Sequence, residues 1–379
     1  MIKLLTIIGA RPQIIKAAAI SRAVRTKFAG QVEEHILHTG QHYDANMSEV
    51  FFRELGIPEP DYNLHVGSGT HGVQTARIIE GIEEVLTEQQ YDGVIVYGDT
   101  NSTLAAAVAA SKIHVPVFHV EAGLRSFNMG MPEEINRIVC DQLSSVLFTP
   151  TLTGLRNLEA EGFSTIKNRV RFADGREQRV VLSGDVMYDN SMYFSAMADM
   201  QSDIIERLGL KYRQFVLATI HRPANTDNAE NLKSIFHALN DIAERHQTDM
   251  VLPLHPRTKK RVNELGFSEL DFSERLKIIE PASFFEIIRL EKNAAIVMTD
   301  SGGVQKEAFF YGTPCVILRP ETEWVEIVEA GAGIIVDADY ERIMVAYEQL
   351  VNKPVRFPAL FGDGHASERI IQEIIEYLR

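Results

Sequence analysis

Short β-branched runs alternate with longer amphipathic segments along almost the whole chain, and this rhythm narrows what it can fold into. Apolar strands that are each followed by a helix form parallel sheets covered on both faces. Strands are expected at Lys3 to Ile8, His35 to His38, Gly93 to Tyr97, Val115 to Val120 and Val180 to Leu182, with helices such as Gln13 to Arg25 and Ser102 to Ile113 between them. The rhythm begins again at Phe215 to Ile220. It continues through Met250 to Leu254, Leu276 to Ile279, Ala295 to Met298, Cys315 to Leu318 and Gly333 to Val336. Two such series predict two doubly wound α/β domains, and 379 residues exceed what a single core organises. The seam is expected near Gly184 to Ser191, dividing residues 1–185 from residues 186–365. Residues 366–379 carry Ile370, Ile371, Ile374, Ile375 and Leu378 at helical spacing and are expected to return to the first domain.

The net charge of −14 argues against a nucleic-acid partner. Against that background field an anionic ligand needs a local basic pocket, so Arg and Lys inside apolar motifs carry weight. Cys140 and Cys315 lie within apolar patterns and read as buried small hydrophobes, which fits a reducing cytoplasm. The first residues read as a strand rather than a signal peptide, and no apolar run reaches the roughly 18 residues of a membrane span. Asp174-Gly175 between Arg169 and Arg179 reads as the turn of a hairpin.

Asp300-Ser301-Gly302-Gly303-Val304-Gln305-Lys306-Glu307 directly follows an apolar strand and opens a helix. Small residues at such a junction leave backbone N–H groups free for an anion, and Glu307, about one turn further on, can take the hydroxyls of an attached ribose. The motif reads as a seat for a nucleotide diphosphate; the alternative is that Ser301 simply caps the helix. In Gly9-Ala10-Arg11-Pro12-Gln13-Ile14-Ile15-Lys16 a strand stops, Pro12 takes the first helical turn, and Arg11 and Lys16 lie near the positive helix end. Two cations there call for an anion.

Tyr97-Gly98-Asp99-Thr100 repeats the design, with Asp99 either at a ligand site or capping the next helix. Glu121 ends the following strand, where a glutamate has no capping advantage. Glu133 and Arg137 stand one turn apart on the next helix, the spacing of a surface ion pair. His221 and His255 each follow a strand of the second series and are expected at a cleft between the domains. Asp99, Glu121 and Glu133 therefore form an acidic group near one sheet edge, facing the anion seat, where crowded carboxylates could exchange protons with a nucleotide-linked substrate. No spacing suggests a metal site, a catalytic cysteine or a nucleophile elbow.

Taken together, GARPQIIK, the GDT turn, HVEAGLRS, PEEINR, HR, HP and DSGGVQKE resemble the non-hydrolysing UDP-N-acetylglucosamine 2-epimerase family nearly end to end. The resemblance implies a GT-B-like fold of two Rossmann-like domains, a homodimer, and no metal or nicotinamide. It also implies loss of the carbon 2 proton with departure of UDP, then readdition from the other face. Lys16, Asp99, Glu121, Glu133, Arg137 and His221 look like the catalytic group, and Arg11, His255, Ser301, Gly302, Gly303, Glu307 and Arg319 like the UDP contacts. UDP-N-acetylglucosamine is the leading substrate. Its 2,3-diacetamido-glucuronic counterpart is the alternative, because Glu321 to Glu326 and Gly184 to Met187 look closer to relatives acting on that sugar. A GT-B glycosyltransferase is a third reading, and the Asp99, Glu121 and Glu133 trio weighs against it. The chain departs from the family pattern at Gln13, at Pro223-Ala224-Asn225 and at Trp324. It also matches only in part, at Gln41-His42-Tyr43-Asp44, the stretch that binds a second substrate molecule in activated members.

Overall fold

The computed structural model describes residues 1–41, 56–163, 170–171, 177–267 and 272–379, so His42 to Asp44 lie outside the described residues. It separates into two compact units, Met1–Asn190 with Ala359–Arg379, and Ser191–Pro358. The first contains β1 (Ile2–Ile8), β2 (Val32–His38), β3 (Tyr62–Asn63), β4 (Gly93–Tyr97), β5 (Val117–Val120), β6 (Val146–Thr149), β7 (Val170–Arg171) and β8 (Glu177–Leu182). They form one sheet in the order β3-β2-β1-β4-β5-β6-β8-β7. Every pairing is parallel except β7 with β8, which run antiparallel and supply the hairpin expected around Asp174-Gly175; the turn itself lies outside the described residues.

The second unit contains β9 (Phe215–Thr219), β10 (Asp249–Pro253), β11 (Leu276–Ile279), β12 (Ile296–Thr299), β13 (Cys315–Ile317) and β14 (Gly333–Ile335), ordered β11-β10-β9-β12-β13-β14 and parallel throughout. β9 shows why its strands read as unbroken apolar runs. Val216 and Ala218 pack with Phe236, Leu239, Met298 and Tyr347 on one face, whereas Phe215 and Leu217 pack with Leu290, Val297, Ala308 and Ile317 on the other. Both faces are covered, so alternation disappears. The helix Ala229–Arg245 shows the complementary logic: Asn228 caps its start, and Leu232, Ile235, Phe236, Leu239 and Ile242 form one buried stripe. Each such side chain contributes about 2 kcal/mol by leaving water. In the first unit the helix Asn101–Lys112 instead buries Ala105, Ala106, Ala107, Ala109 and Ala110, whose small size lets neighbouring elements approach closely.

The strand orders position the sites. In each sheet successive strands run outward in one direction and then jump back across the starting strand, between β1 and β4 in the first unit and between β9 and β12 in the second. The connections leave in opposite directions at these points, and ligands of open α/β sheets bind outside the strand carboxyl ends there. The carboxy-terminal helix Ala366–Leu378 belongs to the first unit, where the Asp189 carboxylate accepts the N–H groups of Ala366 and Ser367.

Candidate functional site

In the first unit the residues after β1, β4 and β5 converge. The helix Arg11–Ala23 opens with Pro12 in its first turn and turns Lys16 inward, leaving it 8% exposed. Its ammonium meets Glu121 Oε1 at 2.6 Å. The anion that the sequence demanded for Lys16 is therefore supplied by the chain itself, while Arg11 stands exposed at the helix start. Gly98 lies beneath the pair with φ +62; a Cβ there would come within 3.2 Å of Lys16 Nζ and 3.7 Å of Glu121 Oε1. Glu121 itself has φ +72, a left-handed conformation that costs a non-glycine residue about 1 kcal/mol or more and concentrates at functional sites.

Asp99 is not a cap: Thr100 Oγ1 accepts the Thr103 N–H and takes that role. Asp99 instead pairs with Arg137 at 2.6 Å, and the Asn136 amide donates to its carbonyl. The expected surface pair of Glu133 with Arg137 is replaced by a buried one, since Arg137 binds Glu134 at 2.6 Å. Burial favours the neutral form of Glu134, but the N–H groups of Ser126 and Phe127 together with Arg137 outweigh it and hold the carboxyl below its ordinary range. Sequence reasoning missed Glu134, although its i,i+3 relation to Arg137 was visible. Glu133 shares a cavity of about 300 Å³ with Asp99, Asn101 and His71. The crowded carboxylate trio is thus resolved differently: Glu121 and Asp99 each face a cation, and Asp99 and Glu133 face one cavity.

In the second unit Ser301 does cap the helix Gly302–Phe310, its Oγ accepting the Val304 N–H. The groups around Gly302 are polar and close. A Cβ on Gly302 would lie 3.5 Å from Glu323 Oε2, 3.6 Å from Trp324 Nε1 and 3.8 Å from Arg319 Nη1. Arg319 is 8% exposed and grips Glu323 through two contacts of 3.0 Å. Lys306 lies over the Trp324 ring at 4.0 Å. Gly303 is exposed in the first turn, and Glu307 follows one turn later. Beneath Glu307, Glu291 is fully buried, and burial first and the Glu307 charge second push its carboxyl well above the ordinary range.

His221 and His255, following β9 and β10, line one cavity of about 650 Å³ with Arg257 and Lys260. His255 also caps the helix Pro256–Glu264 through Nδ1. His221 is held by Asp300, whose carboxylate accepts its backbone N–H at 3.1 Å, lies 3.1 Å from its Nδ1, and also takes the Arg222 N–H and the Asn225 amide. Burial would raise the Asp300 carboxyl, yet the bond and charge of His221 prevail and lower it. Asp300 and Asn225 were given no role from sequence, although they carry a signal: a carboxylate at a strand end at the switch point, and an asparagine three residues past Arg222. Among the described residues no group of three His, Cys, Asp or Glu could hold a metal ion, and no helix is long and apolar enough to cross a membrane.

The family model for UDP-N-acetylglucosamine 2-epimerase matches residues 25–375. A UDP-2,3-diacetamido-2,3-dideoxy-D-glucuronate 2-epimerase of Pseudomonas aeruginosa is 47% identical over 371 residues, 98% of either chain. A UDP-N-acetylglucosamine 2-epimerase of Methanocaldococcus jannaschii is 41% identical over 373 residues, again 98% of either chain. The crystal structure of the Methanocaldococcus jannaschii UDP-GlcNAc 2-epimerase with UDP-GlcNAc and UDP superposes with a TM-score of 0.81 at 40% identity, covering 99% of this chain and 100% of that one. The two Rossmann-like units are thus of the GT-B kind.

Proposed function

This chain belongs to the UDP-N-acetylglucosamine 2-epimerase family and is a UDP-sugar 2-epimerase, and from that premise we propose that it interconverts UDP-N-acetylglucosamine and UDP-N-acetylmannosamine by eliminating and re-adding UDP. Carbon 2 has no adjacent carbonyl to acidify it, so its proton leaves as the bond from carbon 1 to the UDP oxygen breaks. The electron pair of the C2–H bond becomes the new double bond, and UDP carries away the pair of the C1–O bond. Reprotonation from the opposite face, with return of UDP to carbon 1, inverts the centre. A base near carbon 2 and stabilisation of the departing diphosphate are the two requirements.

The observation that carries this reading is the contact of Lys16 with Glu121 above the Gly98 turn, at the switch point of the first sheet. It supports Lys16, Asp99, Glu121, Glu133 and Arg137 as catalytic residues, with one of the three carboxylates as base; His221, held by Asp300 at the switch point of the second sheet, is proposed as catalytic from the family resemblance. Ser301, Gly302 and Gly303 at a helix start, with Arg319 beside them, fit the diphosphate; Glu307 fits the ribose; Arg11 and His255 complete the proposed contacts. A second reading replaces the sugar with UDP-2,3-diacetamido-2,3-dideoxy-glucuronate. The 47% identical relative favours it, as does the segment Glu321 to Glu326, which brings Glu323 and Trp324 against the Gly302 turn.

Incubation with each sugar in deuterated water, read at carbon 2 by proton NMR, tests both. Exchange and a 2-epimer from UDP-N-acetylglucosamine support the first reading, and exchange from the uronate alone supports the second. No exchange from either removes the proposal.

A further inference from the structure

His119 lies on β5 two residues before Glu121, fully buried, with both ring nitrogens engaged. Nδ1 is 2.7 Å from Asp141 Oδ1, and Nε2 is 2.8 Å from the Gly98 carbonyl oxygen. A carbonyl only accepts, so Nε2 bears a proton. On its other oxygen Asp141 accepts the Gly123 N–H at 3.2 Å and meets the Arg125 guanidinium at 2.7 Å. Toward a carboxylate paired with Arg125, Nδ1 donates as well, and a ring with two N–H groups is a cation.

We propose that His119 is a buried imidazolium and a positioning residue, clamping through Gly98 and Asp141 the two turns that carry Asp99 and Glu121. The inference deepens the functional reading given above and depends on it for the roles of those two carboxylates. Its charge is balanced locally: Glu161, Arg125, Asp141 and His119 alternate in sign, and Arg125 meets Glu161 at 2.6 Å. The titratable groups facing the ring are Asp141 and Cys140 from the helix Pro132–Leu143, and the turn after β4 presents the Gly98 carbonyl; Arg125 and Glu161 act through Asp141. Burial opposes the charge, and Cys140 and Asp141 overcome it, carrying the imidazole well above its ordinary value.

The need for a clamp is visible in the backbone. Gly98, Glu121 and Gly123 all have positive φ, at +62, +72 and +78. Such conformations persist where the surroundings over-determine them. The ring fixes the first turn at Gly98, and Asp141 fixes the second at Gly123, so one ion pair spans both.

The test uses the full chain with 15N-labelled histidine, the His119 signals being assigned by their loss in H119N. Both ring nitrogens are expected to stay protonated from about pH 6 to 9; a single protonated nitrogen in that range overturns the proposal. In H119N a donor remains toward Asp141 but the Gly98 bond is lost, and in H119Q the reverse holds. Either variant is expected to keep UDP affinity and to lose carbon 2 exchange about 100-fold in kcat, with KM little changed, because a misplacement of one ångström has that effect. Full-rate exchange by either folded variant overturns the clamp. Should neither variant fold, the ring signals are assigned in the unmodified chain by correlation to the His119 backbone amide, and they decide. If the unmodified chain exchanges no UDP-sugar, the functional reading fails, and those same signals still test the imidazolium.

Discussion

Lys16 and Glu121 are 105 residues apart in the chain and meet at 2.6 Å with 11% of each side chain exposed. Each neutralises the charge of its largely buried partner. Lys16→Met or Glu121→Gln alone should lower unfolding stability by about 3 kcal/mol, and the double variant should recover a good part of that loss. Denaturant titration of the four proteins measures the coupling; strictly additive losses would mean the contact is energetically idle.

Glu121→Gln also separates chemistry from binding. Exchange at carbon 2 should fall by about 100-fold or more, as expected for losing an acid or base. UDP affinity, measured by calorimetry, should stay close to that of the unmodified chain. A large loss of UDP affinity would move Glu121 from the sugar to the nucleotide.

Glu307→Ala tests the opposite assignment. Losing a charged acceptor for ribose hydroxyls should weaken UDP binding about ten-fold. Unchanged affinity takes Glu307 out of the ribose site.

Asp300 gives a prediction about pH. Its folded carboxyl lies below the ordinary value of 3.8, so its stabilising contribution is fully present above that value and is lost as pH falls through the folded one. Asp300→Asn should therefore cost stability at neutral pH and much less in strong acid, measured as urea midpoints across the range. A penalty independent of pH would trace the loss to shape rather than charge.

Much of the fold was legible because parallel strands buried on both faces are apolar throughout. Gly93–Tyr97 and Leu276–Ile279 match their expected limits to the residue. Val146–Thr149 escaped notice because only Ser144 and Ser145 part it from the helix Pro132–Leu143, with no glycine or proline to mark the change. Tyr62–Asn63 is too short for any period to show. At the site, Asp99, Glu121 and Lys16 stood out as charges at strand ends or inside apolar runs, but their partners did not. Which of the adjacent Glu133 and Glu134 turns inward depends on the Ser126 and Phe127 N–H groups, which come from a separate loop. His119 and Asp141 each look like an ordinary interruption until the fold brings them to 2.7 Å.

The seat of the carboxy-terminal helix on Asp189 reverses the usual order of completion during synthesis. Residues 359–379 leave the ribosome after the whole of Ser191–Pro358, so the later half can finish folding while the earlier half still waits for its last helix. A lesion near residue 370 would accordingly strike the half of the molecule that was translated first.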